Sequence, residues 1–341
     1  MIRSWVEVSR TRLQNNLKWA RRKVAPARVM AVVKADAYGH GLGPAAETLF
    51  QAGVRDFAVG QIEEALLLRK ILPAANILVL GGCMPGEEEE FLQHRLSATL
   101  FDDRPLPRQL SVHVKVDTGM NRLGIPWTDL KRRLPKLSGK IEASCSHFSS
   151  SEEALSQLQR FLEATSDLAL PRHICNSAGL AFPESYLDMV RIGLALYGIA
   201  PGPGFEEIRP VLTWKTRIIA VQEVPAGGSI GYDGTYTAPK PVRVAVLSVG
   251  YADGYNRLLS NLGQVRIGRR LAPIVGRVSM DMISVDVTDF DEPAVPGQEA
   301  TLLEAEPESP LSAASMARRL NTIPYEVLTG VSARVARKYC G

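Results

Sequence analysis

Short apolar runs alternate with amphipathic stretches through the first part of the chain. The segment SRTRLQNNLKWARRKV has a helical period, with one face made of Leu13, Leu17, Ala20 and Val24, and the run Val29–Val33 follows as a buried strand. Seven more apolar runs predict strands: RDFAVG, NILVLGG, SATLF, SVHVKVDTG, KIEASCSHF, RHICN and MVRIG. Eight buried strands separated by helices favour a (β/α)8 barrel of the TIM type, because that number closes a parallel sheet on itself.

The pattern changes near Pro201. The segment APGPGFEEIRP is typical of a linker, and the segments after it alternate strand-like runs with turns, as in LTWKTRIIAVQEV, GQVRIG and MISVDVTDF. We therefore expect an α/β barrel over residues 9–205 and a C-terminal mostly-β domain over residues 206–341. The N-terminal strand of residues 2–8 lies outside the barrel count and is expected to pair into the second domain.

Two helix starts are predicted from capping residues. The stretch SEEALSQLQRFLEATSDL is expected to open with a capping box formed by Ser150 and Glu153. The late stretch SPLSAASMARRL is expected to begin at Pro310, directly after Ser309 as the N-cap.

The composition is that of a globular protein and argues against several classes. Hydrophobic residues make up 45% of the chain against 22% charged, and no apolar run reaches the eighteen residues that a membrane span needs. The net charge of +4, from 40 basic and 36 acidic residues, is too mixed to predict a nucleic-acid surface. The charged N-terminus lacks the apolar core of a secretory signal. We expect a cytoplasmic protein that binds neither nucleic acid nor membrane.

The cysteines and histidines do not form a metal-binding pattern. Cys83, Cys145, Cys175 and Cys340 lie far apart without C-x-x-C spacing, and the five histidines include no H-x-x-x-H pair. Free thiols fit a reducing compartment. We expect neither a metal site nor a disulfide framework.

Polar and charged residues follow the predicted barrel strands where those strands end, which is where barrels carry catalytic groups. These residues are Lys34, Tyr38, Lys115, Asp117, Arg122, His147, Asn176, Ser177 and Arg191. The loops after strands seven and eight tend to bind phosphate, and Ser177 with backbone N–H groups at Gly193 would supply donors there. Taken alone, Lys34 is best explained as a strand end that reaches solvent. Facing a phosphate site, it points instead to a Schiff base with pyridoxal 5'-phosphate.

Eight segments together resemble one known family. They are AVVKADAYGHG, KVDTGMNRLG, SHFSSSE, CNSAG, VRIGLALYGI, SVGYADGYNR, APIVGRVSMD and NTIPYEVLT, and they extend in order over nearly the whole chain. The chain resembles the alanine racemase family. The resemblance implies a pyridoxal-phosphate barrel, a β-rich second domain and a homodimer whose active sites take residues from both subunits. It also implies interconversion of L-alanine and D-alanine, supplying D-alanine for cell-wall peptidoglycan.

The resemblance assigns two bases by position. Lys34 looks like the lysine that binds the cofactor covalently and acts on one face of the substrate. Tyr251 is similar to the tyrosine that the partner subunit supplies on the other face. Arg191 resembles the arginine at the pyridine nitrogen, and His147 the histidine that supports Arg191 and Tyr251.

The other matched positions concern binding. Arg122 resembles the arginine near the substrate carboxylate, and Met280 the residue whose backbone N–H meets that carboxylate. Lys115 resembles a lysine that is carbamylated in many members to orient that arginine. The phosphate positions are matched by Tyr38, Ser177, Gly193, Leu194 and Tyr325, with Asn176 adjacent.

The residue types suit racemisation. A proton must leave Cα on one face and return on the other, so two bases on opposite faces are needed. Because an arginine does not give up its proton, Arg191 would leave the pyridine nitrogen unprotonated and weaken the electron sink. A weaker sink favours racemisation over transamination or decarboxylation.

Two alternatives stay open at this point. The first is a racemase for serine or for a broad set of amino acids, since the loops that set the pocket walls are not placed by the sequence. The second is a non-catalytic pyridoxal-phosphate carrier on a barrel, which the second domain and Tyr251 disfavour. Ser279 stands where many relatives have cysteine, and we expect little effect on the reaction.

Overall fold

The computed structural model describes residues 2–341, and the chain divides into two compact units. One unit is Arg12–Ile208. The other combines the residues up to Thr11 with Arg209–Gly341. No helix within residues 2–341 is both long and apolar enough to cross a membrane.

The unit Arg12–Ile208 is a barrel of parallel strands. After β1 (Ser4–Ser9), which belongs to the other unit, the strands are β2 (Arg28–Val32), β3 (Asp56–Val59), β4 (Asn76–Val79), β5 (Ser97–Leu100), β6 (Ser111–Asp117), β7 (Ile125–Pro126), β8 (Lys140–Cys145), β9 (Arg172–His173) and β10 (Met189–Ile192). They pair in the order β10-β2-β3-β4-β5-β6-β8-β9, with the short β7 beside β6. The N–H of Arg191 donates to the carbonyl of Cys175 over 2.9 Å and joins β10 to the end of β9. The predicted (β/α)8 barrel is confirmed.

Helices cover the outside of the barrel sheet, and side chains of the strands fill its interior. These helices are Arg10–Val24, Leu42–Gln51, Ile62–Ile71, Glu88–Gln93, Leu130–Arg133 and Ala154–Ala164. All residues of β3 and of β10 are buried as a result, which explains why they read as continuous apolar runs.

One predicted helix start in the barrel unit is wrong. The helix begins at Ala154 rather than at the expected capping box. The Ser150 hydroxyl does accept the Glu153 N–H over 3.3 Å. The Glu153 carboxylate, however, accepts the Ser156 hydroxyl over 2.9 Å. Residues 150–153 therefore form a turn in front of the helix.

The second unit is mostly β. Its further strands are β11 (Leu212–Val224), β12 (Ser229–Ile230), β13 (Tyr236–Thr237), β14 (Val242–Leu247), β15 (Gln264–Ile267), β16 (Arg270–Pro273), β17 (Ile283–Asp286), β18 (Glu299–Leu303) and β19 (Ala336–Cys340). Strand β1 pairs antiparallel with β11 and parallel with β19. Alternate residues of β11 are buried from Leu212 to Ile218, as expected for a sheet with one face on the core.

Two helices complete this unit, Ala313–Leu320 and Pro324–Thr329. The first of these helices begins at Ala313, so the prediction that it starts at Pro310 after Ser309 as the N-cap is wrong. Its N-cap is Ser312, whose hydroxyl accepts the Ser315 N–H over 3.2 Å. Ser309 instead donates to the Glu304 carboxylate and accepts from Leu311 N–H, so its hydroxyl closes a turn.

Candidate active site

Lys34 lies two residues beyond β2 and opens a left-handed turn. Residues 35–38 have φ between 53° and 56°, a conformation that costs roughly 1–2 kcal/mol for each L-residue. The turn is closed by the Gly39 N–H, which donates to the Ala35 carbonyl over 2.9 Å. Glu64 accepts the Ala35 N–H over 2.6 Å. These bonds hold the strained backbone that positions Lys34 at the end of its strand.

The amine of Lys34 lies near two positive side chains and one negative side chain. The residue is exposed by area, yet the barrel mouth still removes part of the hydration of its amine. That loss of hydration and the nearby Arg122 and Arg191 lower the pKa of Lys34, while Glu64 opposes the shift. A lowered pKa increases the fraction of neutral amine, the form that acts as nucleophile or base.

Arg191 is the buried centre of the site. It lies on β10 and is 5% exposed, and its guanidinium donates to the carbonyls of Ser146 over 2.6 Å and of His173 over 3.0 Å. It also meets two imidazole nitrogens, Nδ1 of His173 at 2.5 Å and Nδ1 of His147 at 3.1 Å. Arg191 forms no ion pair with any carboxylate of residues 2–341; the ion pairs there, such as Arg28–Asp56 and Arg334–Asp253, involve other residues. The site therefore contains a buried cation that only neutral groups contact.

The arginine determines the protonation of both histidines. Because a guanidinium only donates, Nδ1 of His147 and Nδ1 of His173 must both accept, and each neutral ring carries its proton on Nε2. Burial, followed by Arg191, lowers the pKa of both rings well below the usual range, which keeps them neutral. The Asn176 amide nitrogen lies 3.5 Å from Nε2 of His147. Since that nitrogen is also a donor, it cannot accept the Nε2 proton.

A second cluster forms at the ends of β9 and β10. The buried Ser177 hydroxyl accepts from Gly193 N–H over 3.3 Å and from Ala195 N–H over 3.2 Å. The centroid of the Tyr38 ring lies 5.0 Å from that of Tyr197, with the two rings tilted by 31°, and Tyr197 is fully buried. Leu194 is also buried. Backbone N–H groups, a hydroxyl and a phenol converge here, and such donors can bind a phosphate.

Lys115 and Arg122 follow each other along one strand and its loop. Lys115 is on β6, opposite Cys145 of β8, and burial with Arg191 and Arg122 lowers the pKa of Lys115 to about 8. The loop after β6 is shaped by Asp117, whose carboxylate accepts the N–H groups of Gly119 and Asn121 over 2.9 Å and 3.1 Å. Arg122 follows this turn and is exposed.

The remaining predicted residues lie in the other unit. The Tyr251 N–H donates to Ser279 O over 3.0 Å, and the N–H of Ala252 donates to Met280 O over 3.1 Å, so the two loops are adjacent. Tyr251 is 43% exposed and Met280 is 53% exposed. Tyr325 lies in the helix Pro324–Thr329 and is 38% exposed. These three side chains share a domain with each other and not with Lys34.

Sequence reasoning missed three residues of the site. His173 contacts Arg191, His113 contacts His173 in the barrel interior, and Glu64 contacts the turn after Lys34. A clue was available for His113, because it lies two residues before Lys115 on one strand and so shares its face. Within residues 2–341, no group of three or more His, Cys, Asp and Glu residues could hold a metal ion.

The fold and the site define a class, a two-domain barrel enzyme with a lysine at the end of its first barrel strand and an arginine at the end of its last. Family models match both parts of the chain: "Alanine racemase, N-terminal domain" over residues 8–201 and "Alanine racemase, C-terminal domain" over residues 211–339. The chain belongs to the alanine racemase family. The expected family and enzyme class are thereby confirmed.

Individual relatives agree with the family models. The chain is 39% identical to the alanine racemase of Symbiobacterium thermophilum, over 99% of this chain and 97% of the relative. It is 36% identical to that of Methylacidiphilum infernorum, over 99% and 92%. Among solved structures, the alanine racemase from Bartonella henselae with covalently bound pyridoxal phosphate superposes with a TM-score of 0.91 at 31% identity, covering 100% of both chains.

Proposed function

We propose that this chain is a pyridoxal-phosphate-dependent racemase that interconverts L-alanine and D-alanine. The single observation that carries the proposal is Arg191, a buried arginine contacted by two neutral histidines at the end of the barrel that also carries Lys34. The curated relatives named alanine racemase support the same substrate.

The residues present fit the cofactor. Its phosphate would be held by the cluster of Tyr38, Ser177, Gly193 and Leu194, with Tyr325 as a further donor and Asn176 beside them. Gly193 fits this role because any side chain there would overlap Tyr38, so only glycine lets backbone and phenol approach together. Arg191 would donate a hydrogen bond to the pyridine nitrogen and, because a guanidinium does not give up its proton, would leave that nitrogen unprotonated. When bound, the cofactor supplies the electron sink that makes the Cα proton of an amino acid removable.

Lys34 would hold the cofactor covalently, and its amine would serve as the base on one face of the substrate. Burial, together with the positive charge of Arg122 and Arg191, lowers the pKa of Lys34 and favours the neutral amine, which can accept the Cα proton at Nζ. Arg122 and, from a second copy of the chain, the backbone N–H of Met280 would bind the substrate carboxylate. That contact fixes which Cα bond faces Nζ.

Tyr251 of a second copy of the chain serves as the base on the opposite face. His147 supports this role. The Asn176 amide nitrogen cannot accept the hydrogen bond that the Nε2–H of His147 offers, and the phenol oxygen of Tyr251 from the second copy would accept it. The exposed side chains of Tyr251, Met280 and Met282 favour burial against a partner. In this homodimer each barrel binds the cofactor, and residues 206–341 complete the site of the other subunit.

Mixing two inactive variants tests the shared site. Lys34→Ala and Tyr251→Phe proteins are each expected to be nearly inactive alone. After they are unfolded and refolded together, mixed dimers contain one site with both wild-type residues, so activity should return. If both residues came from one chain, every site would carry a lesion and the mixture would stay inactive.

Lys115 is proposed to be carbamylated. Burial lowers its pKa to about 8, so more of its amine is neutral near pH 7 than in an ordinary lysine, and only the neutral amine attacks CO2, losing a proton as the N–C bond forms. The resulting anion would pair with Arg122 and orient it. Labelled bicarbonate should give a carbamate carbon resonance that disappears in Lys115→Ala.

We place the protein in the cytoplasm, where its product would supply D-alanine for peptidoglycan. All four cysteines are free thiols, and three of them are buried, which fits a reducing compartment.

The decisive experiment combines spectroscopy with turnover. Purified protein should absorb at the band of a lysine-bound cofactor, lose that band on borohydride reduction, and yield one labelled peptide that contains Lys34. It should also convert L-alanine to the racemate faster than it converts L-serine. A labelled lysine elsewhere would overturn the role of Lys34, and faster turnover of serine would overturn the substrate.

A further inference from the structure

A chain of three buried side chains crosses the barrel interior. Arg191 Nη1 lies 2.5 Å from His173 Nδ1, and His173 Nε2 lies 2.8 Å from His113 Nδ1. The three residues belong to β10, β9 and β6 and are 5%, 0% and 8% exposed. The chain therefore extends the arginine site into the interior, beyond any residue assigned to binding or proton transfer above.

The direction of every bond in this chain follows from the arginine. His173 Nδ1 accepts from Arg191, so the neutral ring has its proton on Nε2 and donates it to Nδ1 of His113. His113 in turn carries its proton on Nε2. Burial is the main cause that lowers the pKa of His113 to about 4, and Arg191 lowers it further, so the ring is neutral near pH 7.

The far end of the chain reaches the opposite end of the barrel. His113 lines a cavity of about 330 Å³ together with Arg28, Asp56 and Glu142. Arg28, Asp56 and other lining residues are the first residues of their strands, whereas Lys34 follows the last residue of its strand. Arg28 pairs with Asp56 at 3.2 Å, and Glu142 pairs with Lys140 at 2.8 Å. Glu142 and Asp56 raise the pKa of His113, and Arg28 lowers it.

We propose that His113 is a positioning residue for Arg191 and acts through His173. By accepting the Nε2–H of His173, His113 holds that ring in the one neutral tautomer whose Nδ1 faces the guanidinium as an acceptor. Without this acceptor, the buried Nε2–H has no partner, which destabilises this tautomer and raises the population of the other one, with its proton on Nδ1. That tautomer presents a donor to a donor and displaces Arg191. The inference rests on the proposed function, in which Arg191 meets the pyridine nitrogen.

Two variants separate this role from simple packing. In His113→Asn the amide oxygen can occupy the place of Nδ1, so an acceptor is retained. In His113→Leu the acceptor is lost with little change of volume. Thr99→Val is the matched control, because Thr99 of β5 is the register partner of His113 and has a buried hydroxyl without a hydrogen bond.

The first readout does not depend on turnover. In protein with ¹⁵N-labelled histidine, His173 Nδ1 should show the shift of an unprotonated nitrogen in the wild type, in His113→Asn and in Thr99→Val. In His113→Leu, the signal should move toward that of a protonated nitrogen. An unchanged His173 Nδ1 signal in a folded His113→Leu protein would overturn the proposal.

The second readout uses the holoenzyme. His113→Leu should lower kcat for L-alanine by about tenfold, with little change of KM, and alter the pH profile of the cofactor band. His113→Asn should remain within about threefold of the wild type, as should Thr99→Val. If His113→Leu does not fold, His113→Gln replaces it, because the glutamine side chain is one methylene longer and places its amide beyond the position of Nδ1. Equal kcat for the Asn and Gln variants would overturn the inference. A wild type without racemase activity would instead overturn the proposed function.

Discussion

The Tyr38 side chain lies so close to the backbone of Gly193 that no side chain fits between them. A Cβ added at Gly193 would overlap the Tyr38 hydroxyl and lie 2.6 Å from its Cζ. The same glycine donates its N–H to Ser177 over 3.3 Å. The proposed phosphate site therefore depends on the absence of a side chain at one position.

Replacement of Gly193 by alanine should weaken cofactor binding. The methyl group must push Tyr38 away, because the three atoms nearest to the added Cβ all belong to the Tyr38 side chain. We expect the Kd for pyridoxal phosphate to rise by about tenfold or more, which corresponds to about 1.4 kcal/mol. Titration of apoenzyme with the cofactor, followed by absorbance, measures this. Gly202→Ala, where an added Cβ meets nothing within 4 Å, should bind like the wild type.

The left-handed turn after Lys34 predicts an unusual response to glycine. Ala35 has φ of 53° and is exposed, so Ala35→Gly relieves strain without removing a buried methyl group. The relief of roughly 1–2 kcal/mol outweighs the entropy cost of about 0.4–1 kcal/mol, and the free energy of unfolding should rise slightly. Glu47→Gly, in the right-handed helix Leu42–Gln51, should lower it by about 1 kcal/mol. Urea unfolding compares the two, and equal losses would contradict the strain.

Replacement of Tyr251 by phenylalanine should affect the two enantiomers unequally. The variant lacks the base on one face and keeps Lys34 on the other, so Cα proton exchange in a single turnover should fall by about 10²–10⁴ for one enantiomer and much less for the other. Tyr232→Phe provides the control, because Tyr232 is 70% exposed in the same domain. Equal losses for L-alanine and D-alanine would argue against two bases.

His113 predicts a loss of stability in acid. The unfolded histidine binds a proton near pH 6.5, whereas the folded ring does so only near pH 4. Between these values the unfolded state binds more protons, so stability falls as the pH is lowered through this window. His113→Asn should lose less stability between pH 6.5 and pH 4 than the wild type. Urea unfolding at several pH values measures the slope, and identical slopes would mean that His113 does not titrate as stated.

Local patterns were sufficient for most of the barrel. Continuous apolar runs predicted its strands correctly, because parallel strands covered on both faces leave no polar alternation. Helix starts were less predictable. Ser309 and Ser312 are both capable N-caps by residue type, and the choice of Ser312 depends on the contact of Ser309 with Glu304, a residue on the preceding segment.

The sequence by itself determined which chemical groups this protein has and the order in which they occur, including Lys34 after a buried strand and Arg191 within another. Only the tertiary structure decided which neutral groups contact that arginine. His147 and His173 contact the guanidinium, and His113 contacts His173. The three rings come from separate strands or loops, and no local rule states that they meet. The protonation of each ring depends on its partner's donors, and partners distant in sequence are brought together only when the barrel closes.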